Sequence, residues 1–454
     1  MSGIFHYIAA FAVVIGVLVV FHELGHYLAA RYCGVKVLRF SFGFGPVLWQ
    51  RCLGRDQTEW AFSAFPLGGY VKMLDEREAP VASSELHRAF NRQSVAKRSL
   101  IVVAGPLANF LLAILLYWGV FVHGVDELSP LVGAPPEGTP AAQAGLRNET
   151  KVNAVDGEPV ATWNDFRWVL LEKAVNQESV ELELTDGSQI EFRRLYLSAA
   201  REQGWEGDAL ERLGIRLFRP EIPAVIGKIL DGGPAQRAGI QIGDRIVQIN
   251  GEPVLHWLDA VSRIREGAGK VLDVELERAG GDLHLQLTPE LSQERGGQVG
   301  KIGVVVAEPP AGRFPHKVFV SYGMLEAFNK AVQETWSKSV FSLVMLGKML
   351  TGEVSWRTLS GPVTIADYAG QSARLGLEYY LRFMALVSIS LGVLNLLPVP
   401  VLDGGHLMYH MLEVVRRKPL SERAMEISQQ LGLAILLVLM AFAFFNDLSR
   451  LFNG

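Results

Sequence analysis

Four stretches of this 454-residue chain carry apolar positions without the polar interruptions of an amphipathic surface helix. Residues 4–30 contain the run Ile8 to Val20, and residues 100–122 hold no charge. Residues 383–397 run into Pro398-Val399-Pro400 and resume as LDGGHLMYHMLEVV, and residues 429–445 form the last stretch. Crossing a bilayer takes roughly 20 apolar residues, so the third counts as a span only with its break included. Two other patterns lie beside the spans. RFSFGFGPVLW and EWAFSAFPLGGYVKM, within residues 39–73, alternate apolar and polar residues around Gly and Pro, which predicts β-hairpins on the cytoplasmic face of the membrane or dipping into it. Irregular or open-edged backbone survives at membrane depth only beside protein or water, so these hairpins point to a lined cavity. In residues 325–347, Phe328, Ala331, Val332, Thr335, Trp336, Ser339 and Val340 recur at helical spacing, which predicts an interfacial amphipathic helix or, with the same pattern, a helix packed on the domain before it.

Between the second and third spans lies an internal repeat. GTPAAQAGL (138–146) matches GGPAQRAGI (232–240), and VNAVDGEPV (152–160) matches IVQINGEPV (246–254), both at an offset of 94 residues. Each unit reads as strand, short helix, strand and Asp/Asn-Gly turn, and resembles PDZ domains of the bacterial protease type. Such modules bind an extended peptide or a C-terminus by adding it to a sheet edge; the alternative is a spacer or size filter that binds nothing. The copies differ, since Gly243-Asp244 stands where the first has Glu149-Thr150. Leu213-Gly214-Ile215 and Ile302-Gly303-Val304 are the candidate peptide-accepting loops, without an assignment of loop to module.

Composition narrows the class. Hydrophobic residues make up 49% and charged residues 20%, a balance that suits a few spans joined to soluble parts. A net charge of −4 and the lack of a basic, aromatic-interleaved stripe exclude a nucleic-acid partner. Cys33 and Cys52 are the only cysteines, too few for a disulfide framework and without a CxxC pair for a thiolate metal site. No Lys or Arg precedes the first apolar run, and it ends in HELGH rather than small residues, so it reads as a retained span and not a cleaved signal. Segment 31–99 carries eleven Lys/Arg, and Arg416, Arg417, Lys418 and Arg423 lie between the last two spans, placing loops 31–99 and 414–427 in the cytoplasm. Segment 124–326, with 21 Lys/Arg against 31 Asp/Glu, lies on the opposite side.

The chemistry concentrates in FHELGH at residues 21–26. H-E-x-x-H on a helix sets His22 and His26 one turn apart on one face, where two imidazoles meet a single zinc ion and Glu23 stays close to a metal-bound water. A charge at the centre of a span costs about 2.5–3.5 kcal/mol on the insertion scale, and such residues mark function. The bland alternative is a pair of core histidines bonded to neighbouring helices. A catalytic zinc needs a third protein ligand. The broken third span offers Asn395, Asp403, His406 and His410; Asp403 follows the proline break and completes a His₂-carboxylate set, or else serves only as a helix N-cap. His406 and His410 are also four apart, a rival site without a glutamate between them.

HELGH in the first span, N-x-x-P-x-P-x-x-D-G (Asn395 to Gly404) in the third, and a tandem PDZ insert together resemble the site-2 protease family over essentially the whole chain. The resemblance implies zinc held by His22, His26 and Asp403, with Glu23 as general base. It places Asn395 near the scissile peptide, and Gly43, Gly45, Pro398 and Pro400 among the substrate contacts, with the hairpins holding substrate as an added strand. The implied activity is intramembrane cleavage of a single-span protein of the anti-sigma factor type in an envelope stress response. The PDZ pair would act in the periplasm as size filter or peptide sensor. The fold class that follows is a multi-pass α-helical protein of the bacterial inner membrane, with a membrane-associated β-hairpin region and two inserted PDZ-like α+β domains. Its parts are 1–33 (span one, HExxH), 34–99 (hairpins), 100–123 (span two), 127–220 and 221–309 (PDZ-like domains), 310–376 (amphipathic helix and loop), 377–415 (broken span three) and 428–446 (span four). Two other classes remain: a non-proteolytic PDZ scaffold with a structural metal, and a metal transporter, whose path would need polar positions at several depths.

Overall fold

A computed structural model describes residues 2–453 except 187–188, 206–207, 219–221, 295–296, 308–316 and 419. The expected domain boundaries at 220/221 and 309/310 fall outside the described residues.

Four helices are long and apolar enough to cross a membrane: Phe5–Tyr32, Val95–His123, Leu377–Leu396 and Arg423–Ser449. They belong to α1 (Ser2–Tyr32), α2 (Val95–His123), α5 (Leu377–Leu396) and α7 (Glu422–Asn453). Helix α2 starts five residues before its apolar run because Ser94 caps it, accepting a hydrogen bond from the Lys97 N–H. The α1–α2 contact is close for a stated reason: a Cβ on Gly25 would lie 2.3 Å from the Ala104 carbonyl oxygen. Small residues at a crossing let two apolar backbones approach where lipid gives no hydrophobic drive.

Between α1 and α2, β1 (Val37–Leu53) and β2 (Thr58–Met73) form an antiparallel ribbon that curls on itself. Leu53 faces Thr58 near the turn, while Phe42 faces Gly69 and Val37 faces Met73 at the other end. The stretch 40–42 is also flanked by 60–62, so residues 69–73 form one outer edge of the curl and 47–53 the other. Gly43 and Gly45 make the bend in the left-handed region, with φ of 88° and 85°. The ribbon lies along α1: a Cβ on Gly16 would touch the Phe42 ring at 3.3 Å, and one on Gly69 would touch Val19 and Glu23. Its far part exposes Phe44, Leu48, Trp49, Phe62 and Phe65, an apolar surface suited to lipid.

The segment between α2 and the next long helix is zipped at its base. β3 (Val125–Leu128) pairs antiparallel with β4 (Lys317–Val320), so residues 127–128 join this stem and not the sheet of the module that follows. Above the stem stand two β-rich modules with separate cores, one around Phe166, Leu170, Leu182 and Leu195, the other around Ile226, Ile246, Val274 and Leu276. Both follow the same element order through the strand pair after the longer helix, with a proline opening the short helix (Pro140, Pro234) and a tryptophan opening the longer one (Trp163, Trp257). Leu213 accepts from Ala141 in the first module and Ile302 from Ala235 in the second, which assigns one glycine loop to each. In the second module, burial works against the charge of Asp244, but the Arg278 guanidinium and the Gln241 N–H hold its carboxyl below the usual range. Thr150 occupies the matching position in the first module and hydrogen-bonds the Arg147 N–H.

Helix α3 (Met324–Thr351) buries Ala327, Ala331 and Thr335 and leaves Phe328, Val332, Trp336 and Val340 outward. It also seats the first module: Trp168 donates to Ser337 at 3.1 Å, Ser337 donates to Glu172 at 2.7 Å, and the Lys338 ammonium sits 4.0 Å from the Trp168 ring centre. The helix α4 (Pro362–Leu375) was not expected from the sequence. Asp447 near the end of α7 supplies its missing acceptors, taking bonds from the backbone of Gly361, Val363 and Thr364 and from the Thr364 hydroxyl. After α5 the chain breaks at the prolines and resumes as α6 (Asp403–Arg416).

Candidate metal centre

The proline break sets the site. Pro398 and Pro400 cannot extend a helical hydrogen-bond ladder, so the chain folds back through Val401, whose φ is 88°. Gly404 and Gly405 admit that return: a Cβ on either would lie 2.1 Å and 2.4 Å from the Leu397 and Val399 carbonyl oxygens, respectively. Asp403 is thereby the first residue of α6; Leu402 is the cap, and no side chain caps this helix. The carboxylate turns instead toward α1. Asp403 Oδ2 lies 3.2 Å from His22 Nε2 and 3.5 Å from His26 Nε2, and the two Nε2 atoms are 3.2 Å apart. The histidine side chains are each 11% exposed and that of Asp403 19%, so the cluster is enclosed yet reachable.

His22, His26 and Asp403 form the one group of this kind among the described residues. Three electron-pair donors converge on one spot, and Asp403 Oδ2 is buried without a well-aligned hydrogen bond, a costly arrangement for groups left to themselves. Tetrahedral bonds of the usual zinc–nitrogen and zinc–oxygen lengths separate ligand atoms by roughly 3.3 Å, close to the three distances here. The donor set therefore fits a divalent cation of the zinc type.

Helix α2 forms the back wall. Ile101 offers its carbonyl to His26 Nδ1 at 2.9 Å, and the Asn109 carboxamide lies 3.1 Å from His22 Nδ1. Gly105 leaves the room for both rings, because a Cβ there would fall 2.3 Å from His26 Nε2 and 2.9 Å from His22 Cε1. Sequence reasoning missed Gly105 and Asn109. The available signal was an isolated asparagine in an otherwise apolar span, three residues beyond a Gly-Pro pair.

Glu23 faces the ribbon side of the same cluster, where the Val71 backbone hydrogen-bonds its carboxylate. Asn395 is half-buried on the last turn of α5, and no hydrogen bond among the described residues engages its carboxamide. Pro398 and Pro400 line the break. Gly43 and Gly45 sit in the ribbon's bend against the backbone of Ser63 and the backbone and ring of Phe65, outside the metal cluster. His406 and His410 do not enter it either. His410 is buried with Nδ1 3.1 Å from the Ser99 hydroxyl, and His406 lies with its ring near Tyr409.

Comparison with known proteins gives a match to the model of peptidase family M50 over residues 10–439. The regulator of sigma-E protease RseP of Salmonella typhimurium is 42% identical over 452 residues, covering 99% of this chain and 100% of that one. RseP of Escherichia coli is 42% identical over 451 residues, covering 98% of each. A Neisseria meningitidis protein whose name describes a zinc metalloprotease is 42% identical over 450 residues, 98% of this chain and 99% of its own.

Proposed function

The chain belongs to peptidase family M50, and from that premise we propose that it is a zinc-dependent endopeptidase of the bacterial inner membrane that cuts the transmembrane segment of single-span proteins. The observation that carries the reading is the meeting of His22 and His26 of α1 with Asp403 at the start of α6, with Glu23 at its side. These three residues would hold the metal. When bound, zinc supplies Lewis acidity that polarises a peptide carbonyl and lowers the pKa of water.

The chain's own groups do the rest. Glu23 takes a proton from the attacking water and returns it to the departing amine. Its Val71 contact holds the carboxylate beside the outer ribbon edge 69–73. A helical substrate keeps its carbonyls internally bonded, so it must unwind before attack, and a strand edge that offers main-chain partners offsets that cost. Substrate added along 69–73 would bring its backbone past Glu23. Asn395 is assigned to the unwound peptide, with Pro398 and Pro400 keeping the break open and Gly43 and Gly45 shaping the ribbon's bend.

The substrate class that suits this site and these relatives is a membrane-anchored anti-sigma factor already trimmed on its periplasmic side. We assign the two modules to the periplasm as PDZ-type units acting as size filter or peptide sensor. The second carries a groove of about 510 Å³ lined by Leu230, Trp257, Ile264, Ile302 and Val304, a surface fit for an apolar chain end. Deleting residues 127–309 is expected to raise cutting of an untrimmed substrate in proteoliposomes; an unchanged rate removes the filter role.

Glu23→Gln in the full chain, reconstituted with a single-span substrate, tests the enzyme reading. The substitution keeps shape and zinc but removes the base, so turnover should fall by about 10²–10⁴. Full cleavage by that variant would rule out Glu23 as the base, whereas no cleavage by the wild type would favour a non-proteolytic scaffold with a structural metal.

A further inference from the structure

A metal-binding imidazole must be neutral, with its proton on the nitrogen that does not face the metal. For His26 the outer partner is unambiguous. The Ile101 carbonyl 2.9 Å from Nδ1 can only accept, so the proton sits on Nδ1 and the lone pair of Nε2 faces Asp403 and His22. The same requirement applies to His22, whose Nε2 faces the same spot. Its Nδ1 must also carry the proton and needs an acceptor beside it.

The group at that place is the carboxamide of Asn109, which is fully buried in the middle of α2. With the amide nitrogen toward His22, as the packing places it, two donors would oppose each other and Oδ1 would be left buried without a partner. The ring could then comply only by moving its proton to Nε2, the atom the metal needs. The two ends of a carboxamide are nearly isosteric. A half-turn of the amide therefore sets Oδ1 on the His22 proton with no change in packing. The backbone is already anchored for this: Ser388 of α5 donates to the Asn109 carbonyl at 2.8 Å, and the Gly25–Ala104 contact fixes α1 against α2.

We propose that Asn109 is a positioning residue whose side-chain oxygen accepts the His22 Nδ1 proton and so fixes His22 as an Nε2 metal ligand. This rests on the metal reading above. It also accounts for a buried carboxamide in an apolar span, where an unsatisfied polar group is costly. The wall of α2 thus orients both histidines, with a main-chain carbonyl for His26 and a side-chain carbonyl for His22. Asp403 comes from a different helix, α6.

Zinc affinity of the purified full chain, measured by competition with a chelator of known affinity, tests the assignment. Asn109→Ala should bind Zn²⁺ about 10–100-fold more weakly than the wild type, with substrate KM unchanged. Asn109→Asp keeps an acceptor and should restore retention to the wild-type level. Thermal unfolding separates positioning from packing: metal-free Asn109→Ala should melt only slightly below metal-free wild type, from the lost buried hydrogen bond, and should lose most of the zinc-induced rise. Wild-type zinc affinity in Asn109→Ala would overturn the assignment, as would equal weakness of the Ala and Asp variants. If Asn109→Ala fails to fold, the Asp variant decides alone. A wild-type chain that binds no zinc would instead refute the metal reading on which the assignment stands.

Discussion

Two helices in this chain carry histidines four residues apart, His22 and His26 on α1 and His406 and His410 on α6. Spacing puts each pair on one face, a turn apart, yet the pairs end differently. On α1 the two Nε2 atoms face each other and a carboxylate oxygen across 3.2 Å and 3.5 Å. On α6 the rings part, His410 to Ser99 and His406 toward Tyr409. The i,i+4 pattern makes a chelating pair possible, but neighbours decide whether it forms. Around α1 those neighbours are a third donor from another helix, a glycine that leaves room, and outer partners that hold the rings. Around α6 the serine hydroxyl claims one ring for the interior.

Truncating one member of each pair separates the two helices most strongly. His22→Ala should strip zinc from the protein and bring cleavage to background. His410→Ala should keep both and cost only about 1 kcal/mol of stability from the lost hydrogen bond, read as a small shift in Tm. A reversed outcome would make α6 the metal helix. Gly105→Ala asks whether the cleared space matters. The added methyl would meet both imidazoles of the first pair, so zinc affinity should fall, and overpacking should cost about 1–3 kcal/mol. An alanine variant with unchanged zinc affinity would show that α2 does not shape the site.

Much of this arrangement is legible in the sequence because it is local or costly. Apolar runs mark the spans, a charged HExxH at the end of one marks the site, and Asp403 is exposed to notice by the proline break before it. What escapes is held by contacts between distant elements. Gly105 and Asn109 look like an ordinary stretch of span until α1 is packed against them. The β3–β4 stem pairs Val125 with Val320, and two four-residue strands that far apart carry no local signal. Helix α4 is short, and its first turn is completed by Asp447, more than eighty residues downstream. The ribbon's alternation was visible, but not its curl, since φ above zero at Gly43 and Gly45 sets which edges face outward.

Asp403, rather than the second histidine pair, is proposed to complete the site. Metal content per chain of the purified wild type, Asp403→Ala and His406→Ala tests it most directly. About one zinc is expected in the wild type and in His406→Ala, and close to none in Asp403→Ala. Zinc retained without Asp403, or lost without His406, would contradict it.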